Sequence, residues 1–138
     1  MDDLFSQRQR ATIIRFMYSA QLLDHFQNPR NVGDLSDPDA VAEVENPVCG
    51  DVLRLSLKFH DGRIAAVRFK AKGCVPSIAC GSALTELIIG KTPDQARATG
   101  CEDLAHAVGG LPEASVHAAQ LALDALSASL RQASSTKK

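Results

Sequence analysis

Two thiols, a carboxylate and an imidazole are the side chains in this sequence whose types and settings could do chemistry. Cys49-Gly50-Asp51 places a soft thiol and a hard carboxylate on either side of a glycine, which lets the backbone turn sharply. Cys74 follows Gly73 and comes just before Pro76, a residue suited to the first turn of a helix. A thiol there lies at the positive end of the helix dipole, which favours the thiolate. His117 stands near the start of a later helical stretch, and its imidazole suits zinc or iron. Thiol, carboxylate and imidazole together are the vocabulary of a metal site.

Each of these residues also has a plainer reading. A free cysteine is often a small buried hydrophobe. Asp51 alone is a turn residue, and a lone helical histidine is more often a surface or core residue than a ligand. Cys49 and Cys74 stand out because both sit beside glycines at chain bends, away from the apolar stripes. Cys80 reads as a packed core thiol, with a lesser reading as a substitute ligand, and Cys101 as part of a connecting loop. His25 precedes a helix stop and reads as structural. His60 lies beside a hairpin turn and His106 on the surface.

The elements that would position the four residues follow from periodicity. The pattern predicts a helix from about Ala11 to Gln27, with Ile13, Ile14, Met17, Leu22 and Phe26 on one face. Asn28-Pro29 stops it. Ala40 to Glu45 alternates as a short strand. Asp51 to His60 is the clearest strand, with Leu53, Leu55, Leu57 and Phe59 on one face and Arg54, Ser56, Lys58 and His60 on the other. Asp61-Gly62 is a type I′ hairpin signal. Arg63 to Ala71 returns, with Ala65, Val67 and Phe69 expected inward. Cys49 and Cys74 therefore fall at the same end of a hairpin.

Pro76 to Ile89 reads as a helix rich in small residues, closed by Gly90. Thr92-Pro93-Asp94 opens a short helix, and Glu102 to Val108 another. Leu111-Pro112 starts the last helix, whose stripe is Val116, Ala119, Leu123, Leu126 and Leu130. The fold class expected is α+β: a three-stranded antiparallel sheet with helices packed on one face. Residues 1–138 form a single domain in this reading, with flexible ends at 1–10 and 133–138.

Composition narrows the class further. Net charge is −1 and tryptophan is absent, which gives no footprint for nucleic acid or an anionic membrane. No apolar run approaches a membrane span, and no signal-peptide pattern stands at the N-terminus. Four cysteines without a paired CxxC spacing suit reduced thiols in the cytoplasm better than disulfides. No phosphate loop, Ser-His-Asp arrangement or paired-carboxylate pattern is convincing, so ordinary hydrolase chemistry has little support.

Taken together, Asp24-His25-Phe26-Gln27-Asn28-Pro29-Arg30-Asn31-Val32-Gly33, Asn46-Pro47-Val48-Cys49-Gly50-Asp51, Phe69-Lys70-Ala71-Lys72-Gly73-Cys74, the Ser77-Ile78-Ala79 helix start, Gly90-Lys91 and Leu111-Pro112 with His117 give the chain a family resemblance. It resembles the U-type iron–sulfur cluster assembly scaffolds, of the IscU and NifU N-terminal kind, from about Tyr18 to Leu130. The resemblance implies the same two-layer fold. It implies a scaffold or carrier, not an enzyme, that takes sulfur from a cysteine desulfurase, takes iron, builds a [2Fe–2S] cluster and passes it to apo-proteins. The family ligand positions fall on Cys49, Cys74 and His117, and the family aspartate on Asp51. Zinc can fill the same site. The chain is expected as a monomer or weak homodimer.

Two departures accompany the match. The family's third cysteine, directly after the histidine, is Ala118 here. The segment read by a dedicated Hsp70-type chaperone is Leu111-Pro112-Glu113-Ala114-Ser115, without the second proline and the lysine, which weighs against that partner. The first departure opens two alternatives: a zinc-binding acceptor of persulfide sulfur, or a degenerate relative that only binds partners.

Overall fold

The computed structural model describes residues 18–136, with side chains as far as 133. The expectations for residues 1–10, for the first helix before residue 18 and for residues 137–138 lie outside the described residues. In chain order the elements are α1 (Ala20–Gln27), β1 (Ala40–Glu45), β2 (Val52–His60), β3 (Arg63–Lys72), α2 (Val75–Ile88), α3 (Pro93–Arg97), α4 (Cys101–Ala107), a 3₁₀ turn (Glu113–Ser115) and α5 (Val116–Thr136).

Ser19 sets the start of α1. It is extended, and its hydroxyl accepts the Leu22 N–H at 2.9 Å, so it is an N-cap. Among the described residues, the helix expected from Ala11 therefore begins at Ala20. The sheet has the order β1-β2-β3 and is antiparallel throughout, the α+β arrangement expected. Ala40 pairs with Leu57 and Glu45 with Val52; Val52 in turn faces Lys72. Leu53, Leu55 and Leu57 are buried beneath the helices, while Arg54 between them is exposed. Asp61 and Gly62 both have positive φ, at 54° and 76°, as a type I′ turn requires.

The expected inward set of β3 needs one correction. Ile64 is buried and Ala65 is exposed. The register slips between Lys58 and Phe59: Lys58 faces Ala66 but Phe59 faces Ile64, leaving Ala65 as the extra residue of a bulge. Simple alternation beyond the bulge then points Ile64, not Ala65, at the core.

Helices α2 and α5 lie on the sheet, and α1 packs against α2. Gly81 on α2 lets the helix close onto the sheet. A Cβ there would come within 2.7 Å of the Phe69 ring and 3.1 Å of Leu53. The buried stripe of α5 also differs from expectation. Ala118, Ala119, Leu121, Ala122, Ala125, Leu126, Leu130 and Ala133 are buried, whereas Val116 is 47% exposed and Leu123 only half-buried. Alanines make a wide, shallow face that lies close against β1 and β2, which the search for large apolar residues underweights. The backbone stays helical to Thr136, beyond the residue where a flexible tail was expected to begin.

The Asp24–Gly33 motif has a structural task. His25 is buried, its Nδ1 2.7 Å from the Ser82 hydroxyl and its Nε2 3.6 Å from Glu86. The Arg30 N–H donates to the same hydroxyl at 2.9 Å, and the Asn31 amide donates to Thr85 Oγ1. Asn31 and Gly33 then hydrogen-bond to Phe69, continuing the sheet past β3 through a parallel bridge at Val32. Burial, followed by the Arg30 charge, holds the His25 pKa below its ordinary value, although Glu86 opposes this. Folding therefore favours the neutral ring. Its contribution is complete above the unfolded value of about 6.5 and is lost as pH falls below it. Thermal unfolding is expected to show a falling midpoint between about pH 7 and about pH 5.5, and His25→Gln should flatten that slope. An equal slope in the variant would assign it elsewhere.

Candidate metal centre

The Asn46–Asp51 loop carries the first candidate ligands. Asn46 organises it: its N–H donates to Asp51 O at 2.8 Å, its O accepts from Gly50 N–H at 2.7 Å, and its side chain accepts from Val48 N–H at 2.9 Å. Gly50 takes positive φ, 77°, and turns the chain so that Cys49 is exposed and Asp51 is buried. Because Val52 pairs with Lys72, the loop lies beside the Gly73-Cys74 corner. Cys74 is the N-cap of α2. His117 is the second residue of α5, directly after the 3₁₀ turn, and so sits nearer the helix start than the sequence indicated.

The three segments converge. Ligand atoms of Cys49, Asp51 and His117 all lie within 4.8 Å of one another. Cys74 joins from the α2 side, with Sγ 3.0 Å from Asp51 Oδ2 and 3.9 Å from His117 Nε2. All four residues singled out in the sequence thus meet in one place. The His117 ring is oriented by its other nitrogen: Nδ1 lies 3.1 Å from the Ala114 carbonyl, which only accepts. Nδ1 therefore carries the proton and Nε2 presents a lone pair to the centre. Asp51 Oδ2 lies 4.0 Å from that lone pair. A cleft of about 280 Å³, lined by Glu45, Pro47, Gln120 and Asp124 among others, opens beside His117.

Asp51 is the most enclosed member, 5% exposed. Burial alone raises its pKa, but hydrogen bonds from the Cys74 thiol, from Ser77 and from the Cys74 backbone outweigh that and leave it below the ordinary carboxyl value. Cys74 moves the other way. Burial first, and then the Asp51 carboxylate beside it, push its thiol up. The thiolate expected from the helix dipole alone is outweighed by these two, so a cation at the centre is what would favour ionisation.

The remaining candidates stand apart. Cys80 is fully buried in the core, and burial pushes its thiol up to about 12. It is a core residue and does not take the place of a third thiol. Cys101 opens α4 and was not a loop residue; its Sγ is 3.8 Å from Gln120 Oε1. Ala118, the position after His117, is fully buried. His60 is at the exposed far end of the hairpin.

Two residues of the centre escaped the sequence reading. Ser77 Oγ donates to Asp51 Oδ2 at 2.7 Å and lies 3.2 Å from Cys74 Sγ. Its signal was a serine three residues after a helix cap. Gly73, noted only as a bend, has φ +146°, and a Cβ there would fall 2.3 Å from Asp51 Oδ1. Only a glycine lets the carboxylate sit where it does.

Residues 17–138 match the NifU-like N terminal domain family. The chain belongs to this family. Among relatives of this NifU-like domain, "Iron-sulfur cluster assembly scaffold protein IscU 1" of Archaeoglobus fulgidus is 46% identical over 110 residues, which covers 80% of this chain and 72% of the relative. The scaffold protein IscU of Escherichia coli is 40% identical over 117 residues, covering 82% of this chain and 91% of that one. The N-terminal part of a NifU-like protein from Brucella abortus superposes with a TM-score of 0.69 at 25% identity, over 88% of this chain and 97% of the other. The chain is therefore of the U-type scaffold family, with its α+β fold. Both IscU relatives carry the name of scaffold. Among the described residues of this NifU-like domain, no helix is long and apolar enough to cross a membrane.

Proposed function

We propose that this NifU-like domain is a scaffold on which an iron–sulfur cluster is assembled and from which it is passed to apo-proteins. The observation that carries the reading is the convergence of Cys49, Asp51, Cys74 and His117 from three separate segments. A [2Fe–2S] cluster with two bridging sulfides takes four protein ligands, and imidazole can stand in for thiolate. The four donors meet that number without a thiol at position 118. Each thiol that takes up iron releases its proton, from Cys49 directly to water because it is exposed. The hard Asp51 oxygen and the neutral His117 nitrogen hold iron less firmly than thiolates would, which suits a cluster meant to be handed on. A cysteine desulfurase is the source of sulfur in this reading, and the setting is the cytoplasm.

A second reading has one observation in its favour. Two sulfurs, one oxygen and one nitrogen are also a complete set for tetrahedral zinc. With zinc held, the protein would act as a persulfide acceptor or as a partner-binding relative.

Anaerobic incubation with ferrous iron, cysteine and a cysteine desulfurase tests both. The scaffold reading expects a brown protein with sulfide-to-iron charge-transfer bands, its colour lost in a Cys49→Ser/His117→Ala double variant. A colourless protein that retains one zinc, with the mass of one added sulfur on a cysteine, would replace it with the acceptor reading. Colour of equal strength in the double variant would move the ligands elsewhere.

A further inference from the structure

We propose that Ser77 is the positioning residue of the centre: its hydroxyl holds the Asp51 carboxylate in place for the metal when the Cys74 thiol no longer can. The inference rests on the assignment of Asp51 as a ligand.

Ser77 is fully buried and lies three residues after Cys74, in the first turn of α2. Helical side chains tilt toward the N-terminus of their helix, which carries the Ser77 hydroxyl back toward the cap. Its Oγ reaches Asp51 Oδ2 at 2.7 Å, against 3.2 Å to Cys74 Sγ. Two side-chain donors therefore converge on the same carboxylate oxygen, the Ser77 hydroxyl and, at 3.0 Å, the Cys74 thiol. They do not share the same fate. Cys74 can bind a metal only as a thiolate, and a thiolate has no proton to donate. Loading thus removes one of the two donors and places a negative sulfur next to the carboxylate it used to hold. Ser77 keeps its proton in both states. It remains as the side-chain donor that keeps Oδ2 turned toward Cys74 and His117, and it leaves lone pairs on that oxygen free for the cation. Partners of this kind behind a ligating group commonly contribute 10- to 100-fold to metal affinity.

Ser77→Ala is smaller than serine and favours a helix, so the fold is expected to persist; far-ultraviolet circular dichroism checks it. Two measurements follow. In metal-free Cys74→Ala, where the thiol donor is gone, three-bond couplings to the Asp51 Cβ protons report its rotamer: one rotamer is expected while Ser77 is present, and averaging once Ser77→Ala is added. Competition of zinc against a chromophoric chelator is expected to show about a 10-fold loss in Ser77→Ala. In an Asp51→Ala background the same change should have no further effect, as required of a residue that acts through Asp51. An equal loss in both backgrounds, or an unaveraged Asp51 rotamer in Cys74→Ala/Ser77→Ala, would overturn the proposal. If the wild type bound neither zinc nor iron, the scaffold reading would fail instead, and the rotamer measurement would still decide the role of Ser77 on its own.

Discussion

Gly73→Ala is expected to empty the metal centre and to weaken the fold together. The residue has φ +146°, where an L side chain is strained by roughly 1–3 kcal/mol. The new Cβ would also meet Asp51 Oδ1 at 2.3 Å and Asp51 Cγ at 2.4 Å. The contact is not with the loose end of a flexible side chain. Asp51 is buried and tied to Ser77 and Cys74, so it can retreat only by breaking those bonds. Hydrogen bonds to a charged group are worth about 1.5–3 kcal/mol each, so losing both on top of the strain amounts to about 4–9 kcal/mol. Urea unfolding of the metal-free protein measures it. Zinc affinity should fall at least about 10-fold, because the oxygen ligand is displaced. Gly50→Ala is the control. It also has positive φ, but a Cβ there meets nothing within 4 Å, so it carries strain without a collision. Equal effects of the two substitutions would remove the steric argument.

Cys74→Ala is expected to separate metal binding from folding. Four-ligand zinc sites bind with about 10–16 kcal/mol, or about 3 kcal/mol per ligand, so losing one ligand should weaken zinc by about 100-fold or more. The metal-free protein should lose no more than about 1.5–3 kcal/mol, the worth of the one thiol hydrogen bond to Asp51. Asp51 keeps the Ser77 hydroxyl. Cys49→Ala should lose metal to a similar degree with even less effect on unfolding, because Cys49 is exposed. Zinc affinity within a few-fold of wild type in Cys74→Ala would take this thiol out of the ligand set.

Much of this was legible in the residues, for identifiable reasons. The alternation Leu53-Leu55-Leu57 and the Asp61-Gly62 turn fix a hairpin locally, and a hairpin brings its two ends together whatever else the chain does. That is why Cys49, Asp51 and Cys74 could be placed in one region without a structure. His117 was harder, since nothing local in the sequence says where the start of α5 docks. Its arrival depends on the alanine face of α5 lying on β1 and β2. Ala65 was misplaced because a bulge changes the phase of a strand and leaves no strong residue signal. Ser77 was passed over because its importance lies in what Asp51 does across the sheet, 26 residues away.

The wide spacing of the ligands along the chain has one further consequence. Cys74 is 23 residues from Asp51 and 43 from His117, and no disulfide joins these segments. An ion held by all three closes two long loops at once, and the entropy of closing loops depends only weakly on their length. Cargo then acts as a reversible cross-link, and the loaded molecule unfolds less often by the factor that its binding constant sets. A molecule without such an ion would be the one that opens more readily to a protease. In a cell, where the unfolded fraction governs how fast a chain is cleared, the turnover of such a protein would follow its occupancy, and the pool would be enriched in loaded copies without any separate device to select them.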